Sequence, residues 1–190
     1  MSRSATSSRI ALRSALPAIL GLLLAGSGPL LARVFLTVDE ALKLAFPGAQ
    51  VARRTAYLTA EQLKRARELA GVEIASALVT SYGATRDGKP AGVAYFDTHR
   101  VRTLPETVMV VVDPQGKVAR VEVLSFEEPE QYLPRGPWYG QFGGKALGPE
   151  LDLKRSIHPV TGATLTARAT TEAVRRVLAL HQVISPRAAP

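Results

Sequence analysis

The stretch Thr107-Val108-Met109-Val110-Val111-Val112-Asp113-Pro114-Gln115-Gly116, continued by Lys117 to Phe126, decides the fold. Residues 107–112 are a continuous, β-branched apolar run, too short for a typical helix, and they read as a buried strand. Pro114 suits the first central position of a turn and Gly116 a later one. Residues 117–126 then alternate, with Val118, Val121, Val123 and Leu124 apolar and Arg120 and Glu122 polar, which predicts a strand with one wet face. Two strands joined by so short a turn must run antiparallel.

Working outward, Ala77–Ala84 and Ala91–Phe96 flank Arg86-Asp87-Gly88-Lys89, and Asp-Gly is a strong hairpin signal. Thr37-Val38-Asp39-Glu40 and Thr59-Ala60-Glu61-Gln62 each place a hydroxyl at an N-cap and an acid or amide three residues on. Both are capping boxes, predicting one helix that Pro47 stops and another running to about Ala70. Val51–Leu58 reads as a strand between them. Glu127 to Gly148, rich in Gly, Pro and aromatics, predicts a long ordered loop with one short helix around Trp138–Phe142. Leu165 to Val183 reads as the last helix. Ala169, Ala173, Val174, Val177, Leu178 and His181 form its inner face, and Arg168, Glu172, Arg175 and Arg176 its wet one. The sum is an α+β fold: a mainly antiparallel twisted sheet flanked by helices, ending in a helix.

Composition narrows the chemistry. The chain has 190 residues and no cysteine, which excludes disulfides, thiolate metal sites and cysteine nucleophiles. His99, His158 and His181 show no metal-ligand spacing. Four cations, Arg3, Arg9, Arg13 and Arg33, lie in the first 33 residues, where there is no acid. Without that stretch the formal charge falls from +8 to +4. The remaining cations are scattered, so the sequence predicts no nucleic-acid partner.

The first 33 residues read as an export segment. A basic start precedes an uncharged run from Ser14 to Ala32 centred on Leu16–Gly26. A cleaved signal peptide and an uncleaved membrane anchor both fit this pattern. The expected organisation is therefore an export segment (1–33), a folded domain outside the cytoplasm (34–184) and a disordered tail (185–190).

Ile157-His158-Pro159-Val160-Thr161-Gly162-Ala163-Thr164-Leu165-Thr166 opens the last helix. Gly162 permits a tight turn, Ala163 is small, and Thr161, Thr164 and Thr166 offer hydroxyls. Free N–H groups and the helix dipole at such a start favour an anion such as phosphate. The plainer reading is a capped helix start.

Thr161-Gly162-Ala163-Thr164 resembles the flavinylation motif of the FMN-binding domain family, which includes covalently flavinylated subunits of the sodium-translocating NADH:quinone oxidoreductase and of the Rnf electron-transport complex. The likeness extends over roughly residues 76–181, through Phe96–Thr103, Glu106–Asp113, Glu127-Glu128-Pro129 and Trp138–Lys145. The resemblance implies that a flavin transferase attaches FMN, taken from FAD, through its phosphate to Thr164. Where the family usually has Asp six residues before the acceptor, this chain has His158.

For such a cofactor, Thr161, Gly162, Ala163 and Thr166 would surround the attachment point. Thr98, His99, Arg102 and Thr103 are candidate polar contacts, and Leu124, Trp138, Tyr139 and Phe142 a candidate apolar bed for the ring. The expectation is an exported electron-transfer module, periplasmic or on the outer face of the cytoplasmic membrane, serving membrane or periplasmic redox partners and not acting alone as an enzyme. A non-flavinylated ligand- or partner-binding domain and a reductase with noncovalent flavin are the alternatives.

Overall fold

The computed structural model describes residues 33–184; the segment before Arg33, expected to direct export, and the tail from 185 lie outside the described residues. The chain runs β1 (Arg33–Val34), α1 (Val38–Ala45), β2 (Gln50–Tyr57), α2 (Ala60–Ala70), β3 (Leu78–Arg86), β4 (Lys89–Arg100), β5 (Pro105–Val112) and β6 (Val118–Phe126). Two single 3-10 turns, Glu130–Tyr132 and Gly140–Phe142, flank α3 (Gly136–Tyr139). The long α4 (Thr164–Ile184) closes it. The strands form one antiparallel sheet in the order β1-β6-β5-β4-β3-β2, the α+β arrangement expected from the sequence. The two-residue strand β1 is an addition to that reading.

Local chemistry starts and stops these elements. Both capping boxes are formed, at Thr37 with Glu40 and at Thr59 with Gln62. Gly71, in the left-handed conformation, ends α2. Asp87 and Gly88 both have positive φ (51° and 73°), as a type I′ hairpin turn between β3 and β4 requires.

The apolar run of β5 is buried on both faces because the sheet is covered on both. On one side Val108, Val110 and Val112 pack with Trp138, Phe142, Leu151 and the Val174, Val177 and Leu178 stripe of α4. On the other, Met109, Val111 and Leu124 pack under Ala41, Leu42 and Phe46 of α1. The polar positions expected of β6 are wet, Arg120 exposed and Glu122 half-buried, while the apolar Leu124 is roofed by α1. A bulge makes this consistent with two adjacent apolar residues. Val123 pairs with Val108 and Ser125 with Thr107, so Leu124 is the extra residue. Its carbonyl receives the N–H groups of Phe35 and Leu36 (2.8 and 3.3 Å), tying the chain entering α1 to β6.

The wet face assigned to α4 also needs correction. Arg175 reaches the carbonyls of Ala70 (2.7 Å), Gly148 (2.9 Å) and Leu151 (2.8 Å). A guanidinium has enough donors to satisfy a helix-end carbonyl and a loop together. Arg176 turns toward β4. Meanwhile Thr166, Thr170 and Thr171 are buried.

Gly92 is the tightest point of the sheet. Its φ is +141°, and a Cβ there would lie 2.9 Å from the Val112 carbonyl oxygen and 3.2 Å from the Phe46 ring. Substituting Gly92→Ala is expected to destabilise the fold by about 1–3 kcal/mol through strain and overpacking. Chemical denaturation of the purified domain measures this; unchanged stability would contradict the packing described.

Candidate functional site

The motif lies where the sequence puts it, at the start of α4. The Ala163 N–H bonds the Val160 carbonyl (3.1 Å), closing a turn in which Gly162 has φ +82°. A Cβ on Gly162 would meet nothing within 4 Å, so its conformation and not crowding calls for glycine. The Ala167 N–H bonds the Ala163 carbonyl (2.9 Å). The N–H groups of residues 164–166 before it have no acceptor within the helix. Thr164 is exposed, and its hydroxyl donates to the Val160 carbonyl (3.2 Å).

A cleft of about 180 Å³ opens beside this helix start, lined by Val101, Arg102, Tyr132 and residues 162–166. The Arg102 guanidinium lies over the Tyr132 ring, 5.3 Å from its centre. It has no carboxylate partner among the described residues. Leu165, half exposed, supplies apolar surface. An unpaired cation, unmatched first-turn N–H groups and a hydroxyl thus converge on one small opening, which suits a phosphate ester on its polar side and an apolar group on the other.

The structure divides the sequence candidates. Arg102, Gly162, Ala163, Thr164 and Thr166 come together at the cleft. Thr166 is fully buried there, its hydroxyl donating to the Tyr132 carbonyl (2.6 Å), so it secures the wall. Thr161 is exposed just before the cleft. Thr98, His99 and Thr103 do not line it. The Thr98 hydroxyl bonds that of Thr107 (2.9 Å), and Thr103 is bound to Glu128 through its N–H (2.7 Å). The aromatic bed is a correction: Trp138, Tyr139 and Phe142 belong to the core under α4, and Leu124 to the core under α1. Their apolar area is already used in folding. Trp138 nevertheless bonds the His158 carbonyl (2.7 Å), and Gln141 accepts the His158 N–H (2.8 Å), so the α3 region holds the approach to the motif.

His99 belongs to a buried ion network that the sequence reading missed. Its Nδ1 is 2.9 Å from Asp97 and its Nε2 3.0 Å from Glu106. Arg176 of α4 makes a two-point contact with Asp97 (2.9 and 3.0 Å), and Thr170 of α4 donates to Glu106 (3.1 Å). Glu106 is fully buried; its second oxygen and the Tyr139 hydroxyl have no hydrogen-bond partner among the described residues. Burial and the Glu106 charge hold Tyr139 well above the usual phenol range. One signal was available: Thr166 and Thr170 sit at i, i+4 with Ala173 and Val177, placing hydroxyls on the buried stripe. Glu106 had no comparable signal, because a strand-end acid is normally wet.

Burial pushes Asp97 up, but hydrogen bonds from His99 and Arg176 outweigh it and hold the carboxyl at about 2. Burial alone would lower His99, yet its bonds to Asp97 and Glu106 carry it above its ordinary value. Both shifts favour the charged forms of Asp97 and His99.

The geometry is that of an α+β domain whose last helix starts beside a cation and an exposed threonine, a combination suited to a phosphate. Comparison with protein families makes it particular: residues 104–179 match the FMN-binding domain. That match indicates FMN as the cofactor. The match spans β5, β6, the loop and most of α4, and stops just short of Arg102. No curated protein matches the chain significantly.

The ion network has a pH signature. Asp97 has a depressed folded pKa, so its contribution is full above the ordinary carboxylate value of 3.8 and lost as pH falls toward 2. The shift corresponds to about 2 kcal/mol. His99 has a raised folded pKa, so its contribution is full below 6.5 and lost as pH rises through the raised value. Stability is expected to peak between about pH 4 and 6.5 and fall on both sides. Arg176→Ala is expected to cost about 3 kcal/mol and flatten the acid limb. Denaturant midpoints across pH check both; an acid limb unchanged in Arg176→Ala would contradict the assignment.

Proposed function

We propose that this domain is an exported electron carrier whose FMN is attached through its phosphate to Thr164. The observation that carries the reading is the exposed Thr164 hydroxyl at the first residue of α4, in the cleft with the unpaired Arg102. The flavin-family motif Thr161-Gly162-Ala163-Thr164 and the family match support it.

In this reading each group has a part. Thr164 Oγ forms the phosphoester and gives up its proton, with FAD as the donor, AMP as the leaving group and a flavin transferase as the catalyst. Arg102 and the free N–H groups of residues 164–166 hold the remaining negative charge of the ester. Gly162 keeps the approach open, since no side chain stands over the turn. Val101, Tyr132 and Leu165 offer the adjacent apolar contacts. When bound, FMN supplies one- and two-electron redox chemistry. The tether keeps the cofactor at high effective concentration outside the cytoplasm, where free FMN is scarce. Redox partners in the periplasm or membrane would take and deliver the electrons. Residues 1–33 would deliver the domain there, to the periplasm or the outer face of the cytoplasmic membrane.

Intact mass of the domain co-expressed with a flavin transferase tests this. The expected result is a gain of one FMN less water on the native chain and none on Thr164→Ala. Flavin released on denaturation, with no gain in mass, would point instead to noncovalent binding. No retained flavin on either protein would contradict the carrier reading.

A further inference from the structure

The loop joining β4 to β5 carries Arg102, and its amides converge on one buried acid. Glu128, 8% exposed, accepts through a single oxygen, Oε1, the N–H groups of Arg102 (3.2 Å), Thr103 (2.7 Å) and Leu104 (2.9 Å), and the Thr103 hydroxyl (3.3 Å). Three successive N–H groups aimed at one point form an anion-binding nest. Here the protein's own carboxylate fills it. The nest is therefore closed to a ligand phosphate, and the loop's cationic contribution to the neighbouring cleft is the Arg102 side chain, beside the apolar Val101.

The segment that supplies Glu128 grips the cleft a second and a third time. Four residues on, the Tyr132 ring lies under the Arg102 guanidinium (5.3 Å), and the Tyr132 carbonyl accepts the Thr166 hydroxyl of α4 (2.6 Å). Residues 128–132 thus hold Arg102 by its backbone at one end and by its guanidinium at the other, and fix both to the first turn of α4. Burial opposes the Glu128 charge, but the N–H bonds outweigh it and keep the carboxyl below its ordinary range. The acceptor stays ionised at neutral pH.

We propose that Glu128 is a positioning residue of the flavin site, fixing the 102–104 backbone so that the Arg102 guanidinium meets the phosphate held at Thr164. The proposal rests on the attachment of FMN at Thr164 and adds the residue that organises its cationic wall. Glu128 touches no cofactor atom; it acts through Arg102.

A double-mutant cycle on Glu128 and Arg102 tests it. The initial rate of FMN loading by a flavin transferase with FAD, at subsaturating domain, is read beside the thermal midpoint. Arg102→Ala is expected to slow loading about tenfold, and Glu128→Ala by a similar factor. The double variant should be no slower than Arg102→Ala alone, because Glu128 has nothing left to position. Glu128→Gln keeps an acceptor oxygen for the three N–H groups and should recover most of the rate. It also serves as the working variant if Glu128→Ala does not fold.

Glu128→Gln and Glu128→Ala loading at the native rate would overturn the proposal. So would a Glu128 effect as large in the Arg102→Ala background as in the native one, since that marks general loop damage. A native chain that takes up no FMN would instead strike at the attachment reading itself.

Discussion

The rest of the molecule depends on how α4 is seated, and the polar part of that seat is the chain of charges from Arg176 through Asp97 and His99 to Glu106 and Thr170. It joins α4 to β4 and β5 across the face they share. Apolar packing of Val174, Val177 and Leu178 contributes most of the buried area, but such contacts are not directional. The hydrogen bonds from residues 170 and 176 fix the rotation and the height of the helix over the sheet. Two carboxylates buried together would repel strongly; His99 between them and Arg176 beyond balance the charge. Removing one member leaves an uncompensated buried ion, so the cluster holds or fails as a unit.

The consequence at the other end of the helix is geometrical. Thr170 lies six residues beyond Thr164, and α-helical rise places them roughly 9 Å apart along the axis. Seating Thr170 on Glu106 therefore fixes where the free N–H groups of the first turn emerge. The Glu128–Tyr132 segment meets them there, with Thr166 held by the Tyr132 carbonyl and Arg102 brought alongside. One end of α4 is secured by ion pairs in the interior, and the other presents an exposed hydroxyl and an unpaired cation. That arrangement suits a cofactor held by its phosphate.

Much of the fold was legible because its signals are local. Each capping box at Thr37 and Thr59 is complete within four residues, and Asp87-Gly88 sets its turn from two. The helix start at Thr164 was legible for the same reason, with Gly162 marking the positive φ. The features missed depend on pairs far apart in the chain. Nothing near Glu106 announces that Thr170, 64 residues on, will meet it, or that Arg176 will reach back 79 residues to Asp97. The ring bed failed for a different reason: an aromatic cluster that fills a core and one that lines a cofactor site have the same composition, and only burial separates them. The alternation of β6 was legible, with Arg120 exposed and Leu124 buried, but that α1 supplies the cover over Leu124 was not. At the site, Arg102 came from the sequence, while Glu128, which holds it, became legible only from three N–H groups on one oxygen.

The most direct measurement is localisation of the flavin by fragmentation mass spectrometry of the tryptic peptide 156–168 from the loaded protein. This peptide contains three hydroxyls of the motif region, Thr161, Thr164 and Thr166, besides Ser156. Thr166 is fully buried and its hydroxyl is engaged, whereas Thr161 and Thr164 are exposed. The account predicts the whole modification on Thr164. Modification on Thr161, or a peptide that carries no flavin, would contradict it.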